Sequence, residues 1–274
     1  MQRQHMSLRH KPRFRAQKAQ AWLNCAQNRR TSGEVMNVEI APIAHIRTDF
    51  PTKFGLPRQS GLVEELRGVV EFEPEYRQAE AVRGLDGFSH IWLIWGFSQA
   101  RRTGWSATVR PPRLGGNVRM GVFATRSPFR PNGLGLSCVR LEAVELDARR
   151  GPLLHVAGID MLDGTPVYDV KPYVPVADCR TDAREGFTGR TRQHSLKVDF
   201  PEALLALIPS DKRAALMGAL AQDPRPGYED DPTRRYGVEF AGFDVRFNVQ
   251  GDELKVCQVV PMAGAHADVP GRID

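Results

Sequence analysis

Short β-type segments separated by turn signals dominate residues 36–175, and they limit most strongly what this chain can fold into. In residues 136–146 the side chains alternate, with Leu136 and Cys138 on one side and Val139 and Leu141 on the other. Turn-forming sequences such as Pro-Asn-Gly and Asp-Gly separate such segments, whereas helical periods are few. The pattern predicts a mainly β fold, namely an antiparallel β-barrel.

Composition divides the chain into five regions. Residues 1–35 hold eight Lys/Arg and one acid, which predicts a basic, flexible extension. The barrel is predicted for residues 36–177, and a polar, Gly/Thr/Arg-rich linker for 178–192. Residues 193–261 combine two helical segments with short strands and predict a small α+β C-terminal domain. An Ala/Gly/Pro-rich, flexible tail is predicted for 262–274.

Several functional classes are disfavoured by the motifs that the sequence lacks. The four cysteines, Cys25, Cys138, Cys179 and Cys257, are far apart and form no CxxC pair. This spacing argues against a zinc site or a disulfide framework and suits a reducing cytoplasm. Phosphate-loop, dinucleotide-binding, HExxH and GxSxG motifs are missing, so a cofactor enzyme of Rossmann type is disfavoured. No run approaches the roughly 18 apolar residues of a membrane span.

Positive charge is concentrated in residues 87–141, here called the acid-free segment. It contains no Asp or Glu but eight arginines, which are Arg101, Arg102, Arg110, Arg113, Arg119, Arg126, Arg130 and Arg140. Such a block predicts a positive surface or cleft for a polyanion, with nucleic acid as the leading candidate. The alternative is that these arginines pair with acids elsewhere, such as Glu71, Glu73 or Glu75.

Residues 120–135 combine a predicted strand with a stiff turn. Val122 and Ala124 alternate with Phe123 and Thr125, and two prolines follow. The two arginines of this turn, Arg126 and Arg130, would form a preorganised receptor for a carboxylate or phosphate. The alternative is a structural turn with solvated arginines.

Three loops of similar character, at residues 57–59, 126–135 and 163–166, are predicted to meet at one end of the barrel. Together they would offer guanidiniums, a carboxylate and backbone groups to a ligand with both a carboxylate and a positive centre. Residues 85–97 contain a continuous apolar run, which predicts a central strand buried on both faces.

Six motifs in order resemble the TrmO (YaeB, TsaA-like) family of tRNA methyltransferases. They occupy residues 53–59, 81–92, 110–117, 121–132, 163–173 and 223–228. The resemblance implies a β-barrel that binds S-adenosylmethionine (SAM), a small C-terminal domain and a cytoplasmic homodimer. It also implies N6-methylation of threonylcarbamoyladenosine beside the anticodon of tRNA. Gly133-Leu134 replaces the Pro-Ile that relatives often have.

Candidate site residues follow from the resemblance together with the acid-free segment and the position of ionisable groups in the sequence. Those for binding SAM are Arg58, Gln59, Ser98, Gln99, Arg130, Asp163, Gly164, Thr165 and Pro166. Those for binding the tRNA anticodon arm are Arg110, Arg113, Arg119, Arg126, Arg225 and Tyr228. The ionisable groups nearest the predicted pocket in sequence are Asp169, Lys171 and Tyr173, which are tentative catalytic candidates. For Asp169 and Lys171 the alternative is an ion pair on one face of a strand.

Two other functions remain open. The barrel would act as a non-catalytic SAM-sensing or RNA-binding module, or as an interaction domain without a small ligand. The presence of all three loops together with the acid-free segment argues against both.

Overall fold

The computed structural model describes residues 38–99, 105–114, 117–191, 195–225 and 231–262. The chain divides into two compact units, Met1–Ile40 and Ala41–Asp274, and the fold below is that of the second unit. The described strands are β1 (Ala44–Thr48), β2 (Arg67–Phe72), β3 (His90–Gly96), β4 (Thr108–Val109), β5 (Met120–Gly121), β6 (Leu134–Asp147), β7 (Gly151–Ala157), β8 (Thr165–Pro172), β9 (Lys197–Asp199), β10 (Tyr236–Phe240), β11 (Phe243–Gln250) and β12 (Glu253–Pro261). The α-helices are α1 (Pro175–Asp178), α2 (Glu202–Leu205) and α3 (Ser210–Ala221). Short 3-10 turns lie at Pro74–Tyr76, Ala79–Val82, Leu85–Gly87, Pro112–Leu114, Val122–Ala124 and Gly186–Thr191. Among the described helices, none has the length and apolar character needed to span a membrane.

Six strands close into a barrel in the order β1-β2-β7-β6-β3-β8. Closure occurs because β1 pairs with β2 on one side and with β8 on the other, and each neighbouring pair is antiparallel. Closure removes the free strand edges that an open sheet would expose. The predicted mainly β fold with an antiparallel barrel is confirmed.

Alternating side chains fill the barrel interior. Buried aliphatic residues from the six strands include Ala44, Ile46, Val70, Ile91, Leu93, Val139, Leu141, Leu154, Val156 and Val167. In β3 these buried positions alternate with half-buried ones such as Trp92 and Ile94. The prediction that this strand is buried on both faces was therefore wrong, because a barrel strand turns only one face to the interior.

Three connections lie at the same end of the barrel, here called the loop end. They are residues 49–66 between β1 and β2, 97–133 between β3 and β6, and 158–164 between β7 and β8. Successive barrel strands run in opposite directions, so these connections share one end while the shorter β6–β7 turn and the β2–β3 connection share the other. The topology thus gathers the three predicted site loops.

The C-terminal region forms a four-stranded sheet of order β10-β11-β12-β9, with β9 parallel to β12. Helix α3 buries Ala215, Leu216, Ala219 and Leu220. The buried residues of the C-terminal region and those of the barrel form one continuous hydrophobic core. The helix begins at Ser210, and Pro209 occupies its N-cap position.

The connection between β1 and β2 packs directly on this C-terminal sheet. Phe50 contacts Phe240 edge-on with ring centroids 5.0 Å apart, and Phe54 stacks on Tyr236 at 6.2 Å. The amide of Ala241 donates to the carbonyl of Asp49 at 2.9 Å. Because aromatic contacts and a backbone bond act together, the C-terminal sheet supports the first site loop.

Residues 120–125 do not form the predicted strand. Only Met120–Gly121 pairs, with β4, and Val122–Ala124 is a 3-10 turn. Val122 is buried, while Phe123 points outward. The turn is closed because both the amide and the hydroxyl of Thr125 donate to the Val122 carbonyl. A local hydrogen-bonded turn replaced the alternation that the sequence indicated.

Candidate functional site

Direct hydrogen bonds join the three loops at the loop end. Gly61 donates its amide to the Gly158 carbonyl at 2.9 Å, and Asp163 donates to the Phe50 carbonyl at 2.9 Å. A guanidinium nitrogen of Arg126 donates to Oε1 of Gln59. The convergence that the sequence predicted is therefore present, and it rests on backbone as well as side-chain contacts.

Arg58 and Gln59 lie in the first loop, and their positions are set by neighbouring loops. Nη2 of Arg58 donates to the carbonyl of Arg225 at 3.1 Å, which ties the loop to the C-terminal domain. Gln59 donates its amide to the Arg58 carbonyl while accepting from Arg126. This arrangement preorganises the loop.

Arg130 lies in a turn stiffened by serine and threonine hydroxyls. The amide of Ser127 donates to Oγ1 of Thr125 at 3.3 Å, and the amide of Phe129 donates to Oγ of Ser127 at 3.2 Å. Nη1 of Arg130 donates to the Thr125 carbonyl at 3.3 Å. Within the described part of the chain Arg130 forms no ion pair, so its charge is not neutralised by a carboxylate.

In the loop at Asp163–Pro166 the backbone amides donate to backbone carbonyls of the chain. The amide of Gly164 donates to the Ile46 carbonyl at 2.8 Å and that of Thr165 to the Leu162 carbonyl at 3.2 Å. Gly164 has a φ of +71°, and a Cβ placed there would meet no atom within 4 Å. The amides of Asp163, Gly164 and Thr165 are therefore already bonded, and Gly164 leaves open space beside the loop.

Asp160 is a loop-end carboxylate that the sequence analysis did not select. Nε1 of Trp95 donates to Oγ of Ser137 at 2.9 Å, and Ser137 donates to Oδ1 of Asp160 at 2.6 Å. Burial raises the pKa of Asp160, although Ser137, the Ser60 amide and the charge of Arg126 oppose the shift. Asp160 thus connects the barrel interior to two site loops. The usable sequence signal was Ser137, whose place in the β6 alternation points a hydroxyl inward, where it needs a partner.

The remaining SAM-site candidates differ in burial. Ser98 and Gln99 are exposed and follow β3 at the loop end. Thr165 is buried at the start of β8. Asp163 is exposed, and its Oδ1 accepts the Thr48 amide at 3.0 Å.

The three catalytic candidates do not gather at the loop end of their own chain. Strand β8 starts at the loop end and runs away from it, so Tyr173 lies about 25 Å along the strand direction from Thr165. Nζ of Lys171 and Oδ2 of Asp169 form an ion pair at 2.7 Å on the outer wall. Closeness in sequence to the Asp163–Pro166 loop was therefore a poor guide for Lys171 and Tyr173.

The RNA candidates also separate into groups. Arg110, Arg119 and Arg126 are exposed on the acid-free segment. The side chain of Arg113 and all of Tyr228 lie outside the described residues.

Arg225 differs from these three because its residue is only 8% exposed. Its guanidinium forms two hydrogen bonds to Asp223, at 2.9 and 3.0 Å. Such a fork leaves little of the guanidinium for a phosphate, so this geometry favours a positioning role over the predicted RNA contact.

Among the described arginines of the acid-free segment, Arg140 forms an ion pair, but its partner directly follows the segment in the same strand and is not an acid elsewhere in the sequence. Nη2 of Arg140 lies 3.0 Å from Glu142 on the barrel wall. Arg119 instead donates to the Thr108 hydroxyl at 2.9 Å and Arg126 to Gln59. In the described residues neither of these two forms an ion pair, although the charge of Arg126 acts on the nearby Asp160, so both guanidiniums can still attract an anion.

A closed antiparallel barrel with cationic loops at one end defines a ligand-binding barrel whose rim suits a polyanion. The model of the tRNA-methyltransferase O N-terminal domain matches residues 45–179, and that of the TrmO C-terminal domain matches residues 193–262. The chain belongs to the TrmO family.

Named relatives and a solved structure agree with this assignment. The chain is 41% identical over 227 residues to the tRNA (adenine(37)-N6)-methyltransferase of Escherichia coli strain K12, covering 80% of this chain and 96% of the relative. It is also 41% identical over 246 residues to a Pseudomonas aeruginosa protein provisionally named S-adenosylmethionine-dependent methyltransferase RcsF, covering 84% and 99%. A crystal structure of TrmO from P. aeruginosa superposes with a TM-score of 0.68 at 38% identity, covering 84% of this chain and all of that one.

Proposed function

We propose that this chain is a SAM-dependent methyltransferase that methylates N6 of an adenosine in tRNA. The acceptor is the threonylcarbamoyladenosine beside the anticodon, and the reaction takes place in the cytoplasm. The names of the relatives support the reaction class. The observation that carries the proposal is the joining of the three loops at the loop end, where, among the described residues, Arg130 forms no ion pair and Arg126 donates to the neutral Gln59.

The loop end fits the chemistry of SAM. SAM carries a carboxylate, a sulfonium and an adenosine, and when bound it supplies the methyl group. Arg130 would hold the carboxylate, because a guanidinium recognises that group with two hydrogen bonds. The carbonyls around Gly164 suit a positive sulfonium, since the amides of this loop are already bonded. Gly164 also leaves space for close approach of the ligand.

The residues of the chain then act mainly by alignment. Methyl transfer requires the acceptor nitrogen to lie in line with the methyl group, and holding that geometry lowers the barrier substantially. Asp160 is a positioning residue in this scheme, because it contacts Ser137 and the Ser60 amide and lies near Arg126. The exposed arginines Arg110 and Arg119 would bind phosphates of the anticodon arm.

Transfer of labelled methyl from SAM to tRNA that carries threonylcarbamoyladenosine tests the proposal. We expect one added methyl on that nucleoside, identified by mass spectrometry. Thermal stabilisation by SAM without any transfer would instead support a SAM-sensing module, and neither effect would support an interaction domain.

Arg130→Ala probes the cofactor site within that assay. We expect the KM for SAM to rise about 10- to 100-fold, the loss of one charge-assisted contact, with a smaller change in kcat. Asp169→Asn tests the tentative catalytic role of Asp169. Lost transfer in a folded variant supports that role, and a wild-type rate removes Asp169 from the mechanism.

We also propose that the active form is a homodimer. The outer wall formed by β6, β3 and β8 carries exposed Leu134 and Leu136 beside half-buried Trp92 and Ile94. An apolar strip of this kind is typical of an interface. Leu136→Asp should convert dimers to monomers in sedimentation, and an unchanged mass would place the interface elsewhere.

A further inference from the structure

An exposed aromatic pair lies on the acid-free segment. The rings of Trp105 and Phe123 stack with centroids 6.2 Å apart and an interplanar angle of 26°. Trp105 is 54% exposed and Phe123 is 72% exposed. More than half of each residue is therefore exposed to solvent, and the pair is here called the aromatic platform.

The backbone holds the platform in place. Strands β4 and β5 pair between the two aromatic residues, and the Val122 amide donates to the Ala107 carbonyl at 3.0 Å. Val122 is buried, so the 3-10 turn that it begins is anchored while its neighbour Phe123 faces outward. The platform is therefore a preformed surface, and binding to it costs little conformational entropy.

The charge around the platform identifies what it would bind. Arg110 and Arg119 are exposed on the same small arm, and Arg119 bonds only the neutral Thr108 hydroxyl among the described residues. Exposed aromatic faces beside arginines are the combination that binds unpaired nucleotides, with bases stacking on the rings and phosphates meeting the guanidiniums.

A second copy of the chain suits this surface less well. In a symmetric contact the same patch would face itself, and the arginines of the acid-free segment would meet like charges. An RNA loop neutralises those charges instead.

We propose that Trp105 and Phe123 form a stacking platform for an unpaired base in the anticodon loop of the tRNA. The inference rests on the proposed function and adds a subsite for the substrate on the same connection that carries Arg126 and Arg130. Stacking does not depend on base identity, so the platform supplies affinity and registers the loop, while the acceptor nucleoside is chosen elsewhere.

The test compares a synthetic RNA hairpin that has the anticodon loop sequence with a fully paired RNA duplex of equal length. Fluorescence anisotropy gives Kd for each at several salt concentrations. We expect Trp105→Ala and Phe123→Ala each to weaken hairpin binding about 5- to 150-fold, the range for one stacked base. Duplex binding and the salt slope should stay at wild-type values, because no phosphate contact is lost.

Two matched variants complete the design. Trp105→Phe keeps an aromatic face and should retain most of the hairpin affinity. Phe88→Ala removes a 38% exposed aromatic residue at the opposite end of the barrel and should bind as the wild type does. Both platform variants replace exposed side chains, so their melting temperatures should match the wild type.

Several outcomes would overturn the platform. Wild-type hairpin affinity in both alanine variants would remove it, and so would an equal loss for hairpin and duplex with a smaller salt slope. A change from dimer to monomer with unchanged hairpin binding would assign the surface to a second copy. If the wild type methylates tRNA while the variants bind normally, only the platform fails. If the wild type binds neither hairpin nor tRNA, the proposed function itself fails.

Discussion

Arginines lie in two regions of this molecule with different electrostatic surroundings. On the outer wall of β1, β2, β7 and β6, here called the ion-paired wall, they face carboxylates. The pairs are Arg47–Glu71 at 3.4 Å, Arg67–Glu142 at 2.9 Å, Arg140–Glu142 at 3.0 Å and Arg150–Glu71 at 3.3 Å. On the acid-free segment, Arg119, Arg126 and Arg130 bond a hydroxyl, an amide oxygen and a backbone carbonyl.

The difference shows that a count of basic residues does not locate an anion site. A carboxylate neutralises a guanidinium, whereas a neutral acceptor only orients it. Arg140 belongs to the acid-free segment in sequence but to the ion-paired wall in space, because it pairs with Glu142, two residues further along β6. What decides the role of an arginine is therefore the chemistry of its acceptor in the folded chain.

The buried Arg225–Asp223 pair should differ most from the exposed pairs of the wall. Arg225→Ala removes two hydrogen bonds from the largely buried carboxylate of Asp223, and we expect the free energy of unfolding to fall by about 1.5–3 kcal/mol. Urea denaturation measures this loss. Replacing both partners by apolar residues should recover part of the stability. A loss below about 1 kcal/mol would put this pair in the same class as exposed ones.

Arg126→Ala should lower methyl transfer, whereas the loss of an arginine from the ion-paired wall should not. The variant loses the bond to Gln59 and a charge beside Asp160. We expect kcat/KM for tRNA to fall about 10- to 100-fold, the equivalent of one charge-assisted contact. The control is Arg67→Ala on the ion-paired wall, which should leave transfer unchanged and cost about 0–1 kcal/mol of stability. An equal loss of methyl transfer in both variants would mean that the acid-free segment and the ion-paired wall do not differ in function.

Salt dependence offers a finer comparison. Arg119→Gln should weaken tRNA binding and reduce the slope of log K against log salt by about 1, because one phosphate contact is lost. Arg47→Gln should leave the slope as it is in the wild type, since Arg47 faces Glu71. Titrations at several ionic strengths give both slopes. A slope change for Arg47→Gln alone would place the RNA on the wall.

The carboxyl groups of Asp160 and Glu142 should contribute to the free energy of unfolding with opposite pH dependences. We expect these contributions to be smaller than the effects in the three preceding predictions. Burial raises the pKa of Asp160, so its stabilising contribution is present at acidic pH and lost as pH rises through that pKa. Burial also opposes ionisation of Glu142, but the hydrogen bond and charge of Arg67 prevail and lower its pKa. The contribution of Glu142 is therefore present above its unfolded-state pKa and lost as pH falls.

Unfolding of Asp160→Asn and Glu142→Gln across acidic to neutral pH measures both contributions. The stability difference between wild type and Asp160→Asn should shrink as pH rises, whereas that for Glu142→Gln should grow. Parallel curves would mean that neither environment perturbs its carboxyl group as described.

Local patterns were sufficient to predict much of the fold. Alternation predicted the long strand that became β6, and the Asp-Gly turn predicted the break between β7 and β8. The three strands near the C-terminus followed from the same signal. The 120–125 segment failed because its alternation was overridden by the hydrogen bonds of a 3-10 turn at Val122.

The candidate site was predicted less completely because contacts between loops are not local. The sequence indicated Gln59 and Arg126 separately, and the fold joined them. It did not indicate Asp160, whose importance arises from Ser137 and the Ser60 amide. Lys171 is close to the site loop in sequence, but the direction of β8 carries it away.

Sequence by itself determined that this chain is mainly β, that turns interrupt it at defined places, and that one segment contains arginines without acids. These properties depend on neighbouring residues, so they can be read along the chain. Only the tertiary structure decided which arginines keep their charge, which carboxylate reaches the loop end, and that Trp105 and Phe123 share one exposed surface. Barrel closure joins the site loops, because it pairs residues as far apart in sequence as Ala44 and Val167, and the pairing of β4 with β5 brings Trp105 to Phe123.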